Sequence, residues 1–332
     1  MFELICMGEL LVDFIPIDRS KSLRDSSGFR PAPGGAPANV AAAFALLGGR
    51  ASLISRLGND PFGHYLFQAV NSAGVDTSML KLTDEALTGL AFVFLDESGE
   101  NDFLFYRNPS ADMLIKPDEL DLKAIEQASI FHFGSISLLG GRTKDSTLWA
   151  AARAAESKTV VSFDPNLRPA LWPSLEQARE AINLGLQRTN ILKLSRSELS
   201  FIMDSPSIAA QTAAANLFER YPPLKVIAVT EAEKGSTIFL PGLETPIPPV
   251  RVKSVDPTGA GDAYMGALLF YMHSNFLAGN SKSQAWPQSE SFWLKAGTFA
   301  NTAGALTVTN SGAITAMPDY QTVIKTMQKK LP

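Results

Sequence analysis

The sequence predicts an α/β fold with a mostly parallel sheet, and three observations support this prediction. Short apolar runs, of the kind that a parallel sheet buries on both faces, recur along the chain. Longer helix-like segments separate these runs, so that strand and helix alternate. Two extended segments with period-two patterning interrupt the alternation and predict a smaller β structure beside the main sheet.

The predicted elements follow one another from the N-terminus. Strands are predicted over residues 2–7, 51–55, 130–133, 160–163, 191–194 and 226–229. Helices are predicted over residues 36–47, 62–73, 143–156, 174–186 and 207–220. Residues 275–291 are rich in Ser, Asn, Gln and Gly and predict a surface loop between two helices. Right-handed crossovers between such strands give a parallel sheet.

The two extended segments, approximately 10–33 and 87–110, are expected to form a small β-lid beside the main domain. Phe103 and Phe105 share one face of the second segment, and residues 96–99 suit a hairpin turn. The alternative is that both segments are edge strands of the main sheet.

Composition limits the classes of partner. Of 332 residues, 45% are hydrophobic and 19% are charged, which favours a globular chain with a sizeable core. Formal net charge is 29 − 33 = −4, so nucleic acid and anionic membranes are not expected as partners. Cys6 is the single cysteine, which excludes an intrachain disulfide. The acidic Glu3, Glu9 and Asp13 interrupt the apolar N-terminus, so we expect a cytoplasmic protein without a signal peptide.

The strongest motif is the turn from Gly259 to Asp262, which directly precedes an apolar helix pattern. Free backbone N–H groups and the helix dipole would face an anion there, and glycine lets the backbone approach a phosphate. A carboxylate would repel the phosphate, but Asp262 suits a base that takes a proton from an attacking hydroxyl. The alternative is that Asp262 caps the helix after an ordinary Gly-rich turn.

A second Gly-rich motif, Gly34-Gly35, precedes an Ala-rich helix. The glycines allow a small ligand to touch the backbone, and Asn39 in the first turn can hydrogen-bond a hydroxyl. A helix packed tightly on a sheet favours the same composition. Taken alone, the motif favours that packing explanation.

Charged residues also follow two neighbouring predicted strands, at the edge where parallel sheets bind ligands. Asp164 and Arg168 follow residues 160–163, and a loop ion pair between them is the alternative explanation. Lys193 lies near the end of the next predicted strand, and Glu198 lies at the start of the helix that follows it. Glu198 would help to place Mg²⁺ through water, or it would complement the helix dipole.

In this order the motifs resemble the ribokinase-like, phosphofructokinase-B type carbohydrate kinases, and their fructokinase branch in particular. The resemblance covers nearly the whole chain, and it includes Gly8-Glu9 and residues 56–63, 229–235 and 304–309. Segments 103–113 and 131–138 look most like fructokinases. The resemblance implies a three-layer α/β/α sandwich with a mostly parallel central sheet and a small β-lid, all within one domain over residues 1–332.

The resemblance also implies a role for each matching residue. Asp262 would be the general base, and the anion hole would be formed by Gly259, Ala260 and Gly261. The sugar would be held by Asp13, Gly34, Gly35, Asn39, Phe105, Arg107 and Arg168. The nucleotide would be held by Lys193, Thr230, Glu231, Gly235, Gly259, Gly261 and Asn301.

The cofactors implied by the resemblance are ATP and Mg²⁺, with K⁺ left open. The monovalent-cation loop of the family resembles Asp256, Thr258 and Gly312, but a serine ligand of some relatives aligns with Ala316. In many relatives the lid pairs with a second subunit's lid, so a homodimer is expected.

The sequence therefore predicts an ATP-dependent sugar kinase acting on fructose, at the 6-hydroxyl by family analogy. The alternative enzyme is 2-keto-3-deoxygluconate kinase, because related enzymes share an aromatic–Arg segment like residues 105–107. The alternative from another class is a sugar- or nucleotide-binding protein without turnover, against which the intact Asp262 and its anion hole argue. A dinucleotide oxidoreductase is disfavoured because no Gly-x-Gly-x-x-Gly follows the first strand.

Overall fold

The structure, a computed structural model, describes residues 1–18, 23–95, 101–278 and 285–330. Within these ranges the strands form one nine-stranded and one four-stranded sheet. The hairpin turn predicted at residues 96–99 lies outside the described residues. No helix in the described ranges is long and apolar enough to cross a membrane.

The large sheet contains the predicted strands and three more. Its strands are β1 (Leu4–Met7), β4 (Ala51–Gly58), β5 (Leu80–Thr83), β8 (Ile130–Gly134), β9 (Val160–Asp164), β10 (Ile191–Ser195), β11 (Val226–Thr230), β12 (Ser236–Leu240) and β13 (Leu243–Ile247). The order across the sheet is β13-β12-β11-β10-β9-β8-β1-β4-β5. Neighbours from β11 to β5 are parallel, whereas β12 and β13 add an antiparallel edge.

Helices cover both faces of this sheet. They are α1 (Ala36–Leu46), α2 (Pro61–Ser72), α3 (Leu122–Gln127), α4 (Gly141–Glu156), α5 (Leu175–Leu186), α6 (Arg196–Ile202), α7 (Ala210–Arg220), α8 (Ala260–Met272), α9 (Glu290–Thr307) and α10 (Tyr320–Lys330). A π-helical turn, His273–Leu277, extends α8, so the predicted loop over residues 275–291 begins later than expected. Short 3₁₀ turns connect several of these elements.

The central strand β1 shows how the layers are built. Leu4 and Cys6 belong to the apolar core shared with α1, α8 and α9, whereas Ile5 and Met7 belong to the core shared with α4, α5 and α7. Alternate side chains of a strand point to opposite faces, so a strand buried on both faces is apolar throughout. The three-layer α/β/α sandwich is therefore confirmed.

The two period-two segments form a separate sheet, the lid. Its strands are β2 (Leu11–Pro16), β3 (Phe29–Gly34), β6 (Leu90–Leu95) and β7 (Asn101–Tyr106), in the order β3-β2-β6-β7. Ile15, Ala32 and Val93 form its small apolar core. Because these strands pair with one another, the alternative that they are edge strands of the main sheet is wrong.

Candidate active site

A cleft of about 390 Å³ lies between the carboxyl edge of the large sheet, the lid and the start of α8. Half of the predicted site residues line it: Asp13, Gly35, Asn39, Phe105, Arg168, Lys193, Thr258, Gly259, Gly261 and Asp262. A larger cavity of about 700 Å³ opens at the opposite edge of the sheet, beside Ser129 and Asn190, and none of the predicted site residues lines it. The cleft is therefore the candidate active site.

The predicted anion hole is the first turn of α8. Gly259 precedes the helix with a φ of 79°, and a Cβ on it would lie 2.8 Å from Ala313 Cβ, so only glycine fits. The N–H groups of Gly259 to Asp262 have no acceptor within the helix, although that of Ala260 donates to the Pro257 carbonyl at 3.3 Å. Within the described residues no side chain caps α8, so the capping explanation for Asp262 is wrong.

Two amide side chains hold the Asp262 carboxylate. Asn39 Nδ2 donates to Asp262 Oδ2 at 2.7 Å, and Asn166 Nδ2 donates to Oδ1 at 3.2 Å. Burial raises the pKa of Asp262 above its ordinary value, while the Asn39 amide and the charges of Lys193 and Arg168 oppose that rise. A buried carboxylate whose proton affinity is raised suits general-base catalysis.

Lys193 brings a positive charge to the anion hole. Its Nζ lies 2.7 Å from Asp164 Oδ2, and both side chains are buried. A Cβ on Gly261 would lie 2.9 Å from Lys193 Nζ, so the ammonium lies directly against the first turn of α8. Burial acts to lower the pKa of Lys193, but the carboxylates of Asp164, Glu198 and Asp262 together outweigh it, so the pKa is raised. The alternative ion pair between Asp164 and Arg168 is wrong, because the partner of Asp164 is Lys193.

The lid supplies the opposite wall. Asp13 lies on β2, and a Cβ on Gly34 of β3 would lie 2.1 Å from Asp13 Oδ2, so Gly34 leaves room for the carboxylate. Gly35 has a φ of 110°, and a Cβ there would lie 2.3 Å from the Glu9 carbonyl oxygen. Burial raises the pKa of Asp13 to about 7, with the Arg168 guanidinium opposing the rise.

Arg168 lies between the lid and the sheet edge. Its guanidinium is 4.9 Å from the centre of the Phe103 ring, and Phe103 stacks on Phe105 at 5.7 Å. Arg168 Nη1 also donates to Asn166 Oδ1 at 2.6 Å. The cation is therefore held by an aromatic side chain on one side and by an amide on the other.

Arg107 does not line the cleft, although the sequence predicts that it contacts the sugar. Its buried guanidinium pairs with Asp112, which also accepts a hydrogen bond from Ser110. Glu9 lies between this pair and the cleft. Its Oε1 accepts the Ala36 N–H at 2.9 Å, and its buried Oε2 has no partner among the described residues. Burial raises the pKa of Glu9 to about 7, against the charge of Arg107.

Glu198 is not among the cleft-lining residues. Its Oε2 accepts the Ser195 N–H at 2.7 Å and the Ser195 hydroxyl at 2.8 Å, while Oε1 accepts the Leu167 N–H at 2.7 Å. With the Ser195 hydroxyl accepting the Glu198 N–H, this is a capping box at the start of α6. The carboxylate thus ties the loop after β9 to α6, and its role in placing Mg²⁺ stays a prediction.

Four of the predicted nucleotide residues, Thr230, Glu231, Gly235 and Asn301, lie outside the cleft lining. Thr230 ends β11, and the Glu231 N–H donates to the Gly235 carbonyl at 2.8 Å. Gly235 has a φ of 94°, and a Cβ there would lie 2.3 Å from the Ile247 carbonyl oxygen. Asn301 accepts from Ser236 and donates to the Pro248 carbonyl, which joins α9 to the antiparallel edge.

The three residues of the predicted cation loop meet at one carboxylate. Asp256 is fully buried, with Oδ1 accepting the Thr258 N–H at 3.1 Å and Oδ2 accepting the Gly312 N–H at 3.0 Å. Ser311 also donates to Oδ2 at 3.2 Å. Asp256 therefore links the segment before α8 to the loop after α9.

Sequence reasoning passed over Asn166, Phe103 and Glu9 as individual site residues, although each lies within a segment that carried the resemblance. The signal for Asn166 was its place between Asp164 and Arg168 at the end of a strand. The face shared by Phe103 and Phe105 also pointed to the first of them. The approach of Glu9 to Arg107 depends on tertiary structure.

Known proteins that are similar to this chain are carbohydrate kinases. The model of the pfkB family carbohydrate kinases matches residues 1–320. The chain belongs to this family. A probable fructokinase-3 of Arabidopsis thaliana is 42% identical over 315 residues, covering 95% of this chain and 88% of the relative.

Solved structures of similar proteins share the fold over nearly the whole chain. The fructokinase of Xylella fastidiosa with bound ATP superimposes with a TM-score of 0.87 at 32% identity, covering 99% of both chains. A double mutant of the fructokinase of Vibrio cholerae O395, in its fructose, ADP and potassium ion bound form, gives a TM-score of 0.84 at 29% identity and 98% coverage of both. This member of the pfkB family is thus a carbohydrate kinase with a mostly parallel large sheet and a small lid.

Proposed function

We propose that this carbohydrate kinase transfers the γ-phosphoryl group of ATP to fructose, with Asp262 as the general base. The observation that carries the proposal is the position of Asp262, which lines the cleft in the first turn of α8. The N–H groups beside it can donate hydrogen bonds to an anion. The fructokinase relatives support fructose as the acceptor. By analogy the 6-hydroxyl is the group that reacts.

The proposed reaction needs few covalent steps from the protein. The sugar hydroxyl gives its proton to Asp262 while its oxygen bonds to the γ-phosphorus, and the bond from that phosphorus to the bridging oxygen of ADP breaks. Negative charge on the transferring group is stabilised by the N–H groups at Gly259 and Gly261 and by Lys193. Asp13, Gly35, Asn39 and Arg168 position the sugar, and the lid excludes water, which would otherwise accept the phosphoryl group.

Magnesium suits this site as a companion of the nucleotide. Among the described residues no group of three or more His, Cys, Asp or Glu side chains is placed to hold a metal. Mg²⁺ usually keeps several waters and binds phosphate oxygens with one or two carboxylates, so such a cluster is not required. When bound, the ion would neutralise charge on the phosphates, with Glu198 contributing through water. Thr230, Glu231, Gly235 and Asn301 are proposed to lie beside the nucleotide.

Charge in the cleft favours a neutral sugar over 2-keto-3-deoxygluconate. Three carboxyl groups, those of Glu9, Asp13 and Asp262, line it together with the cations Lys193 and Arg168. Lys193 is already paired with Asp164, so Arg168 is the one cleft-lining cation without an ion pair in the described ranges. A carboxylate-bearing substrate would therefore have only Arg168 as a cationic partner, with three carboxyl groups beside it. Arg107 is proposed to act indirectly, by supporting the lid through Asp112.

A coupled ADP-release assay tests the substrate. Fructose, 2-keto-3-deoxygluconate, ribose and adenosine are compared, and the fructose product is identified by conversion with phosphoglucose isomerase, which accepts the 6-phosphate. We expect the highest kcat/KM for fructose. A preference of about tenfold or more for 2-keto-3-deoxygluconate, which corresponds to about 1.4 kcal/mol of transition-state binding, would contradict the assignment.

Assembly, location and potassium remain parts of the proposal. We propose a homodimer formed through the lid, where Leu104 and Tyr106 of β7 are 43% and 61% exposed. Light scattering at micromolar concentration checks this, and a monomer would contradict it.

We also propose a cytoplasmic enzyme with one kinase domain over residues 1–332. Cell fractionation tests the location, and limited proteolysis tests the domain organisation. Asp256, Thr258 and Gly312 are proposed to adjoin a monovalent-cation site, and assays in K⁺ against tetramethylammonium test that.

A further inference from the structure

We propose that Asn166 is a positioning residue that orients the Asp262 carboxylate and joins it to Arg168. The inference rests on the proposed role of Asp262 as the base. It assigns a function to a side chain that the sequence motifs had left without one.

The geometry of Asn166 carries the inference. Its amide has two polar ends, and each contacts a different part of the site: Nδ2 donates to Asp262 Oδ1 at 3.2 Å, and Oδ1 accepts from Arg168 Nη1 at 2.6 Å. Asp262 and Arg168 belong to different elements, α8 and the loop after β9. Asn166 is therefore a direct hydrogen-bonded link between the proposed base and a proposed sugar-binding cation.

The backbone at Asn166 is adapted to this position. Its φ is 44°, in the left-handed region that few non-glycine residues occupy and in which Asn is enriched. This conformation occurs two residues after the end of β9, at the carboxyl edge of the sheet, and Asn166 is half-buried in the cleft wall. A strained conformation retained at a cleft is consistent with a functional requirement.

The hydrogen bond from the Asn166 amide also acts to lower the pKa of Asp262, against the groups that raise it. The charged groups facing Asp262 are Lys193, Arg168, Glu198, Asp13 and Asp164. The two cations favour the anionic form of Asp262, whereas burial and the carboxylates disfavour it. A hydrogen bond donated to a carboxylate favours the charged form, so loss of the Asn166 donor would raise the pKa of Asp262 further.

Two variants separate the two ends of the amide. Asn166→Asp keeps the shape and the acceptor for Arg168 but places a negative oxygen against Asp262. In the pH profile of kcat/KM for this variant, the apparent pKa of the acid limb should rise by about one unit or more. The KM for fructose should stay nearly unchanged. In Asn166→Gly the backbone can keep its positive φ, but both side-chain hydrogen bonds are lost. The KM for fructose should therefore rise about tenfold, and the apparent pKa of the acid limb should rise as well.

Matched measurements decide the outcome. Asn216→Asp is the control, because Asn216 is exposed on α7 outside the cleft lining, and it should keep the wild-type profile. If folded Asn166→Asp and Asn166→Gly keep the wild-type acid limb, the inference is overturned, even where kcat falls. Asp262→Asn is measured beside them. Near-normal turnover in Asp262→Asn would reject the assignment of Asp262 as the base. If Asp262→Asn loses turnover while both Asn166 variants keep the wild-type acid limb, only the role of Asn166 is rejected.

Discussion

The side-chain amide of Asn39 donates a 2.7 Å hydrogen bond to Oδ2 of Asp262, across 223 positions of the sequence. The contact joins the first turns of α1 and α8, which pack so closely that a Cβ on Gly266 would lie 2.6 Å from Ala43 Cβ. The small residues of both helices therefore serve tight packing, and that packing aligns the two Gly-rich motifs at one cleft. The packing and ligand-binding explanations of the second motif are compatible.

Gly34→Ala should raise the KM for fructose. The added Cβ would occupy the space 2.1 Å from Asp13 Oδ2, so the carboxylate must move. We expect an increase of about tenfold or more, equivalent to losing one charged hydrogen bond, with a smaller change in the KM for ATP. Gly48→Ala is the control, since Gly48 has a φ of 101° but open space around it, and it should lose stability without a change in KM. Equal KM values for Gly34→Ala and wild type would contradict this account of Asp13.

Lys193→Met should destabilise the fold as well as the reaction. The variant leaves the Asp164 carboxylate buried without its 2.7 Å partner. Breaking a buried pair in this way costs about 3–5 kcal/mol of the free energy of unfolding, measured by chemical denaturation. The double variant Lys193→Met/Asp164→Asn should recover much of that stability but not the turnover. Recovery of both would show that Lys193 has no role beyond the ion pair.

Asp13 should make the unliganded protein less stable as the pH rises. The pKa of Asp13 is about 7 in the folded protein against an ordinary value of 3.8. Its contribution to the free energy of unfolding is therefore fully present below about pH 4 and is lost as the pH rises through about 7. Asp13→Asn removes this loss and should increase the free energy of unfolding above about pH 8 by about 1–4 kcal/mol, since one pKa unit corresponds to about 1.4 kcal/mol. Fructose binding should weaken in the same variant. Parallel pH–stability curves for both proteins would refute the buried placement of this carboxyl group.

Glu9→Gln should narrow the preference for a neutral sugar. The substitution removes one cleft-lining carboxyl group and keeps an oxygen for the Ala36 N–H. The ratio of kcat/KM for fructose to that for 2-keto-3-deoxygluconate should fall about threefold to tenfold, most clearly above about pH 7, where Glu9 is ionised. Glu3→Gln, outside the cleft, serves as the control. An unchanged ratio would mean that Glu9 does not take part in discrimination.

Much of this architecture was predictable because the signals are local. Continuous apolar runs identified the buried parallel strands, and the Gly-rich turn identified the start of α8. Strands β12 and β13 were missed because they form an antiparallel edge after the βα alternation ends. The pairing of Asp164 with Lys193 rather than Arg168 could not be predicted, since it depends on the lateral order of β9 and β10 and on which side chain reaches across. The burial of Arg107 with Asp112 likewise follows from where the lid meets the body.

The measurement that tests the central claim most directly is turnover and nucleotide binding in Asp262→Asn. The variant keeps the shape of the side chain but cannot take the hydroxyl proton. General-base catalysis contributes about 10²–10⁴-fold, so kcat should fall by at least that range. ATP affinity, measured by calorimetry on the folded variant, should hold or rise slightly because a carboxylate near the phosphates is gone. Near-normal kcat in a folded, ATP-binding Asp262→Asn would contradict the assignment of Asp262 as the base.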